Sequence, residues 1–370
     1  MKILRKSSRI FRYQIHRIGI SVVLAGVTFA ACGSSSSSST AAGAQSSSAT
    51  STTAANEAAA AYFKGKTITL IAPDNPGGGF DMYARTLAPA LSKYLGATVN
   101  VENVNGAGTL VGTNQMAASS PNGLTLGIVD TGGDIENLIQ KKPGENFDLT
   151  KLSWIGQAGY APNVLITSPS TGVTTFSQLL SIKTPVKVLS QGRGMGDMFD
   201  RVFFEAFNIP HKLVTGFAAT AELKQGFLAG EGHYLFEDIP ALLTLLDGGQ
   251  AKALVVTSEP TLPKLKQAVK NAITINQALS SGSLTSAEKA AVNEAESLIE
   301  LSYDFSGPPG IPAARLAVLQ SAFRKAMSDP STIAEANKES IPLGYVTGQK
   351  LASQVSSAVK QGSALSAYIS

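Results

Sequence analysis

The chain has 370 residues, 30 basic and 26 acidic side chains, a formal net charge of +4 and 44% hydrophobic residues. The basic excess belongs to the start. "MKILRKSSRIFRYQIHR" holds six Lys or Arg and no acid, so beyond residue 31 the balance is 24 basic against 26 acidic, net −2. A basic surface seeking nucleic acid is therefore not supported, and with Cys32 as the only cysteine no internal disulfide can form.

After the basic start, "IGISVVLAGVTFA" is apolar but short for a lasting membrane span. Two alanines then precede Cys32. A basic segment, a short apolar segment and a small-residue cleavage site read as a secretory signal over residues 1–31. The cysteine directly behind it points to a lipoprotein signal, with Cys32 acylated and the chain tethered to the outer face of a bacterial membrane. Phe29 stands where leucine is more usual. A plain signal peptide and an uncleaved anchor helix are the alternative readings. Residues 32–61 are Ser-, Ala- and Thr-rich and read as a flexible tether. Roughly 30 such residues reach about 30 Å. The folded part, residues 62–370, is long for one core and fits two lobes. No apolar run in it is long enough to cross a membrane.

In the folded part, "TITLIAP" (67–73) is rich in β-branched residues and predicts a strand. "FDMYARTLAPALSKYLG" places Ala84, Leu87, Ala88, Leu91 and Leu95 at helical spacing, with Gly96 as the cap. Pro89 inside it predicts a kink or a restart. "ATVNVEN" (97–103) and "LTLGIVD" (124–130) read as further strands, with loop and helix between them. "WIGQAGYAPNVLITSPS" reads as a strand pair or a crossover. A second set follows. "TFSQLLS" starts a helix, "VKVLS" (186–190) is a strand, and "DMFDRVFFEAF" and "TAELKQGFLAG" are helices. "GHYLFED" (232–238) and "AKALVVTS" (251–258) are strands flanking the helix "ALLTLLDGGQ". Residues 262–300 are polar with one helical piece, and two helices close the chain. Alternation of this kind implies mainly parallel α/β sheets with helices on both faces.

Three glycine-rich segments each separate a strand from a helix: Gly77–Gly79, Gly106–Gly112 and Gly192–Gly196. Glycine lets backbone approach a ligand closely. The helix behind supplies unpaired N–H groups and the positive end of its dipole, a place for carboxylate or phosphate. One such junction reads as a turn, whereas three in one chain point to an anion site at strand C-terminal ends. Nucleotide readings fit poorly. "GAGTLVG" is one residue too long for the dinucleotide fingerprint, and "GKT" at Gly65–Thr67 has Ala60 where a P-loop needs glycine. Neither G-x-S-x-G nor H-E-x-x-H occurs. Beyond the leader only His211, in a loop after Pro210, and His233, entering a strand, remain; both read as structural or surface residues. Trp154 reads as core.

Together, "ITLIAPDNPGGGFD", "VENVNGAG", "PNGLTLGIVD", "GRGMGD", "LAGEGHYLFED", "GGQAKALVVTS" and "GPPGIPAARL" resemble, in order over residues 63–370, the substrate-binding proteins of tripartite tricarboxylate transporters, the Bug family. The resemblance implies an α/β, two-lobed periplasmic-binding-protein type II fold, a Venus flytrap with its ligand cleft between lobes. Lobe 1 is expected over residues 62–165 plus 300–370, and lobe 2 over 166–299. The implied function is an extracytoplasmic receptor that binds a small carboxylate and delivers it to integral-membrane permease subunits. It implies a monomer with no cofactor, no metal and no catalytic role. A ligand sensor for a signalling partner, or an envelope enzyme, are the other classes.

The resemblance also implies a site. Its first loop falls on Gly77, Gly78, Gly79, Phe80 and Asp81, and its second on Gly106, Gly108 and Thr109, whose amides hold one carboxylate end. Asp81 also reads as a helix cap. Asp130, Thr131 and Gly132 face the cleft from a strand end. Lobe 2 contributes Arg193, Gly194, Gly196 and Asp197, then Gly216 and Phe217, with Asp238 near the ligand's far end. Several positions depart from the family pattern. Thr109 replaces a usual glycine, Asp197 a small hydroxyl residue and His233 an aspartate. A histidine is usual near Asp200, "VTGFAA" differs from the usual stretch after the second-lobe strand, and residues 280–300 form a polar insertion. Asp197 would repel a second ligand carboxylate unless paired, with Arg193 as the expected partner. A monocarboxylate with an amine or neutral tail is therefore as plausible as a di- or tricarboxylate.

Overall fold

The structure, a computed structural model, describes residues 57–281, 283–360 and 365–369. The lipidation site assigned to Cys32, the signal segment and most of the tether lie outside them. Among the described residues, twelve strands form two six-stranded sheets.

The first sheet has the order β12-β4-β11-β3-β1-β2. Its parallel part is β1 (Thr67–Ala72), β2 (Thr98–Asn103) and β3 (Thr125–Val129), with Thr67 opposite Thr98 and Leu70 opposite Leu126. In β1, Ile68, Leu70, Ile71 and Ala72 are all buried, so both faces of the strand are covered. That explains an apolar run without alternation. Helix α1 (Gly79–Leu95) follows β1 and ends on Gly96 in the left-handed conformation, as its spacing predicts. Its apolar stripe buries Leu87, Leu91 and Leu95, about 1.5–3 kcal/mol for each fully buried leucine. The helix runs through Pro89 without a restart. Helices α2 (Leu110–Ala117) and α3 (Thr131–Gln140) follow β2 and β3. The pair of glycines at its start hid α3 from sequence reading.

The chain leaves this sheet after β4 (Ser153–Gln157) and enters the other as β5 (Asn163–Thr167), so the ambiguous stretch is a crossover and not a hairpin. The second sheet has the order β10-β9-β5-β8-β6-β7. β6 (Val186–Leu189) pairs in parallel with β7 (His211–Val214) and β8 (Tyr234–Asp238), while β5 runs antiparallel between β8 and β9 (Lys252–Val256). His211 thus begins an edge strand, correcting the loop expected there. Helices α4 (Met195–Ala206), α5 (Thr220–Ala229) and α6 (Ile239–Asp247) follow β6, β7 and β8. β10 (Ile273–Thr274) completes this sheet.

The chain returns through α7 (Ser286–Ile299) to β11 (Asp304–Gly307), which inserts antiparallel between β3 and β4; β12 (Val346–Thr347) adds the edge. Each sheet is therefore mixed, and the mainly parallel expectation fails at β5, β11 and β12. The polar region expected around α7 hides an apolar stripe. Ala291, Val292, Ala295, Leu298 and Ile299 are buried, at helical spacing. They belong to one continuous cluster with Val129 and Trp154 of the first sheet and Phe199, Phe203 and Phe236 of the second lobe. The two lobes share this core behind the cleft. Among the described residues no helix is long and apolar enough to cross a membrane.

Candidate ligand cleft

The C-terminal ends of strands from both sheets, and the helix N-termini behind them, converge on one cavity of about 60 Å³. A water needs roughly 10–15 Å³ of such space, so the cavity is larger than a single solvent site. Gly79 and Phe80 of α1, Gly194, Gly196 and Asp197 at the start of α4, and Thr220 of α5 all line it. Their first-turn amides have no intrahelical acceptor.

The glycine run is tight for a specific reason. A Cβ at Gly78 would collide with the Asp74 carboxylate, and one at Gly79 would sit 2.5 Å from both Asp238 Oδ2 and the Tyr303 hydroxyl. Bare backbone here admits the protein's own acids. Gly77 adopts φ +84° and donates its N–H to Asp81 Oδ2 at 2.9 Å. Asp81 is the third residue of α1, not its cap, and it turns away from the cavity. Its carboxylate accepts from Arg85 Nε at 2.8 Å and from Asn103 Nδ2 at 2.9 Å. Burial works against its charge, yet these hydrogen bonds hold it below the usual carboxylate range.

The second loop carries four positive φ angles in succession: Gly106 at 127°, Ala107 at 51°, Gly108 at 56° and Thr109 at 74°. For a β-branched residue this is strained. Thr109 is the residue of this loop on the cavity wall. Gly106 and Gly108 stand back, and Gly108 abuts the Arg193 backbone of the other lobe. Asp130 caps α3 through the Gly133 N–H at 3.2 Å and accepts the Met195 N–H of α4 at 3.3 Å. A first-lobe carboxylate thus occupies one amide of the second-lobe helix terminus. Thr131 and Gly132 are buried in the first turn of α3, off the wall; Gly132 N–H donates to Leu301 O at 3.0 Å.

Asp197 is paired, though not with Arg193. It accepts from Arg201 Nε at 2.7 Å and Ser190 Oγ at 2.7 Å, with Lys142 Nζ at 3.6 Å. The i, i+4 spacing on α4 favours Arg201, whereas Arg193 donates to Pro143 O at 3.3 Å. Gly216 and Phe217 are set back from the wall, and Ala218–Thr220 replace them. Asp238 caps α6 through the Ala241 N–H at 2.7 Å and accepts the Tyr303 hydroxyl at 2.5 Å. Tyr303 in turn stacks on Tyr83, centroids 3.9 Å apart.

Of the expected residues, the cavity therefore brings together Gly79, Phe80, Thr109, Asp130, Arg193, Gly194, Gly196, Asp197 and Asp238. It leaves Gly77, Gly78, Asp81, Gly106, Gly108, Thr131, Gly132, Gly216 and Phe217 outside its lining. Sequence reading missed Asp74, Asn163, Asp200, Glu237 and Tyr303. Asp74 lies inside the first glycine-loop stretch and Glu237 beside Asp238, so both were within reach. Tyr303 precedes a four-residue strand whose pattern is too short to read. Burial shifts these acids upward, Asp74 to about 7 and Asp130 to about 6. Asp200 and Glu237 rise well above the carboxylate range, for the same reason reinforced by neighbouring acids.

Residues 83–368 match the family described as the tripartite tricarboxylate transporter family receptor. Protein BugT of Bordetella pertussis (strain Tohama I) is 29% identical over 210 residues, covering 53% of this chain. That match spans 62% of BugT, less than two thirds of its length. Among solved structures, the periplasmic binding protein BugD superposes with a TM-score of 0.67 at 20% identity, covering 80% of this chain and 95% of BugD. MatC from Rhodopseudomonas palustris with bound malate gives a TM-score of 0.66 at 18% identity, covering 81% of this chain and 99% of MatC. Both likenesses are of fold: the two-sheet, two-crossing architecture is the two-lobed periplasmic-binding fold. With the family match reaching over most of its length, the chain belongs to the tripartite tricarboxylate transporter receptor family.

Proposed function

We propose that this protein is an extracytoplasmic solute receptor that closes its two lobes over a small carboxylate and delivers it to integral-membrane permease subunits. The observation that carries this reading is the convergence of three helix N-termini, those of α1, α4 and α5, on one interlobe cavity. Such termini hold a carboxylate through backbone amides and the helix dipole. The malate bound to MatC is a ligand of that chemistry. Hinge closure about the two crossings at 158–162 and 300–303 would bury it. Lobe 1 then comprises residues 62–165 plus 300–370, and lobe 2 residues 166–299. The reading involves no catalytic role and no cofactor. Residues 1–31 act as a signal and Cys32 carries the lipid anchor.

Calorimetric titration of the purified protein with a panel of mono-, di- and tricarboxylates tests the reading, together with native mass spectrometry of protein taken from cells. A carboxylate that binds, or a retained carboxylate mass, is expected. A retained ligand lacking any carboxylate would sink it. For the anchor, Cys32→Ser is expected to release the protein from membranes, and continued membrane association of an unacylated chain would remove that part.

A further inference from the structure

Among the described residues the cavity wall carries six carboxyl groups: Asp74, Asp130, Asp197, Asp200, Glu237 and Asp238. Against them Arg193 is the one cationic side chain among the described lining residues. Of the nearby cations two neutralise Asp197, so five of the six wall acids have no ion-pair partner among the described residues. Arg201 and Lys142 serve Asp197 and Glu136, and Lys224 Nζ donates to Ala241 O at 3.2 Å. Two helix termini at the cleft already hold the protein's own carboxylates, Asp130 on Met195 N–H and Asp238 on Ala241 N–H. Among the described residues, two buried polar groups on the wall have no partner. Thr109 Oγ1 and Asp200 Oδ1 make no hydrogen bond, although Thr109 is 7% and Asp200 1% exposed. Buried polar groups without partners are costly and mark places where a ligand completes the set.

Resting on the receptor reading above, we infer that the ligand carries a cationic nitrogen, an ammonium or guanidinium, besides its carboxylate, and that the nitrogen seats against Asp74, Glu237 and Asp238. A second ligand carboxylate in this poorly solvated space would be tolerated only while these acids stay protonated, and would oppose any that ionise. A cation reverses the sign of that interaction and adds charge-assisted hydrogen bonds to those the acids already accept from Asn75, Ala241 and Tyr303. Burial and neighbouring acids raise Asp74 to about 7 and push Glu237 upward as well, favouring their protonated forms. Asp74 faces Asp238, Asp81 and Lys224, and Glu237 faces Asp238, Asp74, Asp130 and Lys224. A cation arriving among them favours their charged forms, so its binding releases protons. The competing arrangement has the neutral acids donating hydrogen bonds to a ligand carboxylate, which retains protons or takes them up.

The test is a matched panel on the full folded region: straight-chain dicarboxylates with one to four methylenes, and the ω-amino carboxylates in which one carboxylate is replaced by ammonium. Each pair is titrated near pH 6.5 in two buffers of different ionisation enthalpy. The amino member is expected to bind at least about tenfold tighter than its diacid partner and to release protons. In Asp74→Asn and Glu237→Gln, which preserve shape, that preference should shrink about tenfold, with a melting curve showing the variants folded. A diacid that binds tighter, or proton uptake with the amino member, overturns the inference while leaving the carboxylate receptor standing. Alkylamines that bind as tightly as the amino acids would keep the acid–cation contact and sink the carboxylate reading instead.

Discussion

The loops that open α1 and α4 are built alike. Each leads from a strand through glycines into a helix whose N-cap is a glycine with no side-chain hydrogen bond, Gly78 and Gly194. Each helix carries a buried aspartate at its third position, Asp81 and Asp197, paired with an arginine one turn on, Arg85 and Arg201. The surroundings differ. Asp81 faces Asn103 of β2 and a largely exposed Arg85, outside the cavity. Asp197 lines the cavity and gathers Ser190 and Lys142 besides its arginine. The same local device thus braces a loop in one lobe and sets the charge of the cleft in the other. Neighbours across the interface, not the motif, decide which.

The two loops should part most sharply at their aspartates. Asp197→Ala leaves Arg201 without its buried counter-charge, while Lys142 keeps Glu136, and a loss of about 3 kcal/mol is expected. Asp81→Ala, beside an exposed arginine, should cost about 1–2 kcal/mol through the lost hydrogen bonds. Urea unfolding measures both, and equal losses would dissolve the distinction. The glycines give the next contrast. Gly79→Ala forces a methyl to within 2.5 Å of Asp238 and Tyr303, whereas a Cβ at Gly196 meets nothing closer than Phe236 O at 3.4 Å. The first variant should lose about 2 kcal/mol, and the second should stay within about 0.5 kcal/mol of the parent because alanine suits a helix better than glycine.

A pH series separates the walls further. Asp74 and Asp130 titrate near 7 and 6 in the folded chain because burial disfavours their charge. Both therefore bind protons more tightly folded than unfolded. Stability from these groups is full below about pH 4 and declines as pH rises through 6 to 7, by about 1 kcal/mol per pH unit where one group titrates. Asp74→Asn should flatten the upper part of that slope; an unchanged slope would mean that Asp74 is ionised in the fold. A further small effect concerns Thr109. Its φ of 74° is strained for a β-branched side chain, so Thr109→Gly should relieve the strain and be stabilised by about 1 kcal/mol or left neutral. A loss of stability would show that the Thr109 side chain contributes more by packing than its backbone costs.

The fold was legible where patterns were long. β1, α1, β3, β6, β8 and β9 were readable from apolar runs, helical spacing and glycine stops. The misses share a cause. β10 and β12 have two residues each, too few for a period to register, and β11 reads DFSG, without the β-branched residues that mark the equally short β6. Helix α3 opens on two glycines; α7 is legible as a helix, but its apolar stripe is hidden among charged residues. At the cleft, glycine spacing located the loops but not their facing. Gly77, Gly108 and Thr131 belong to the right segments yet point elsewhere, because a turn of one residue moves a group from wall to support. Gly216 and Phe217 lie just short of the lining residues Ala218–Thr220 for the same reason.

Composition, periodicity and glycine placement by themselves determined a two-set α/β chain with anion-ready helix termini, since these follow from local backbone geometry. The partners of Asp197, the acids packed against Gly78 and Gly79, and the carboxylate that Asp130 sends across to α4 were decided only by the tertiary structure. Charge in a cleft depends on which side chains burial forces together, and those come from positions far apart: Asp74, Asp130, Glu237 and Tyr303 meet only once both crossings between the sheets are made.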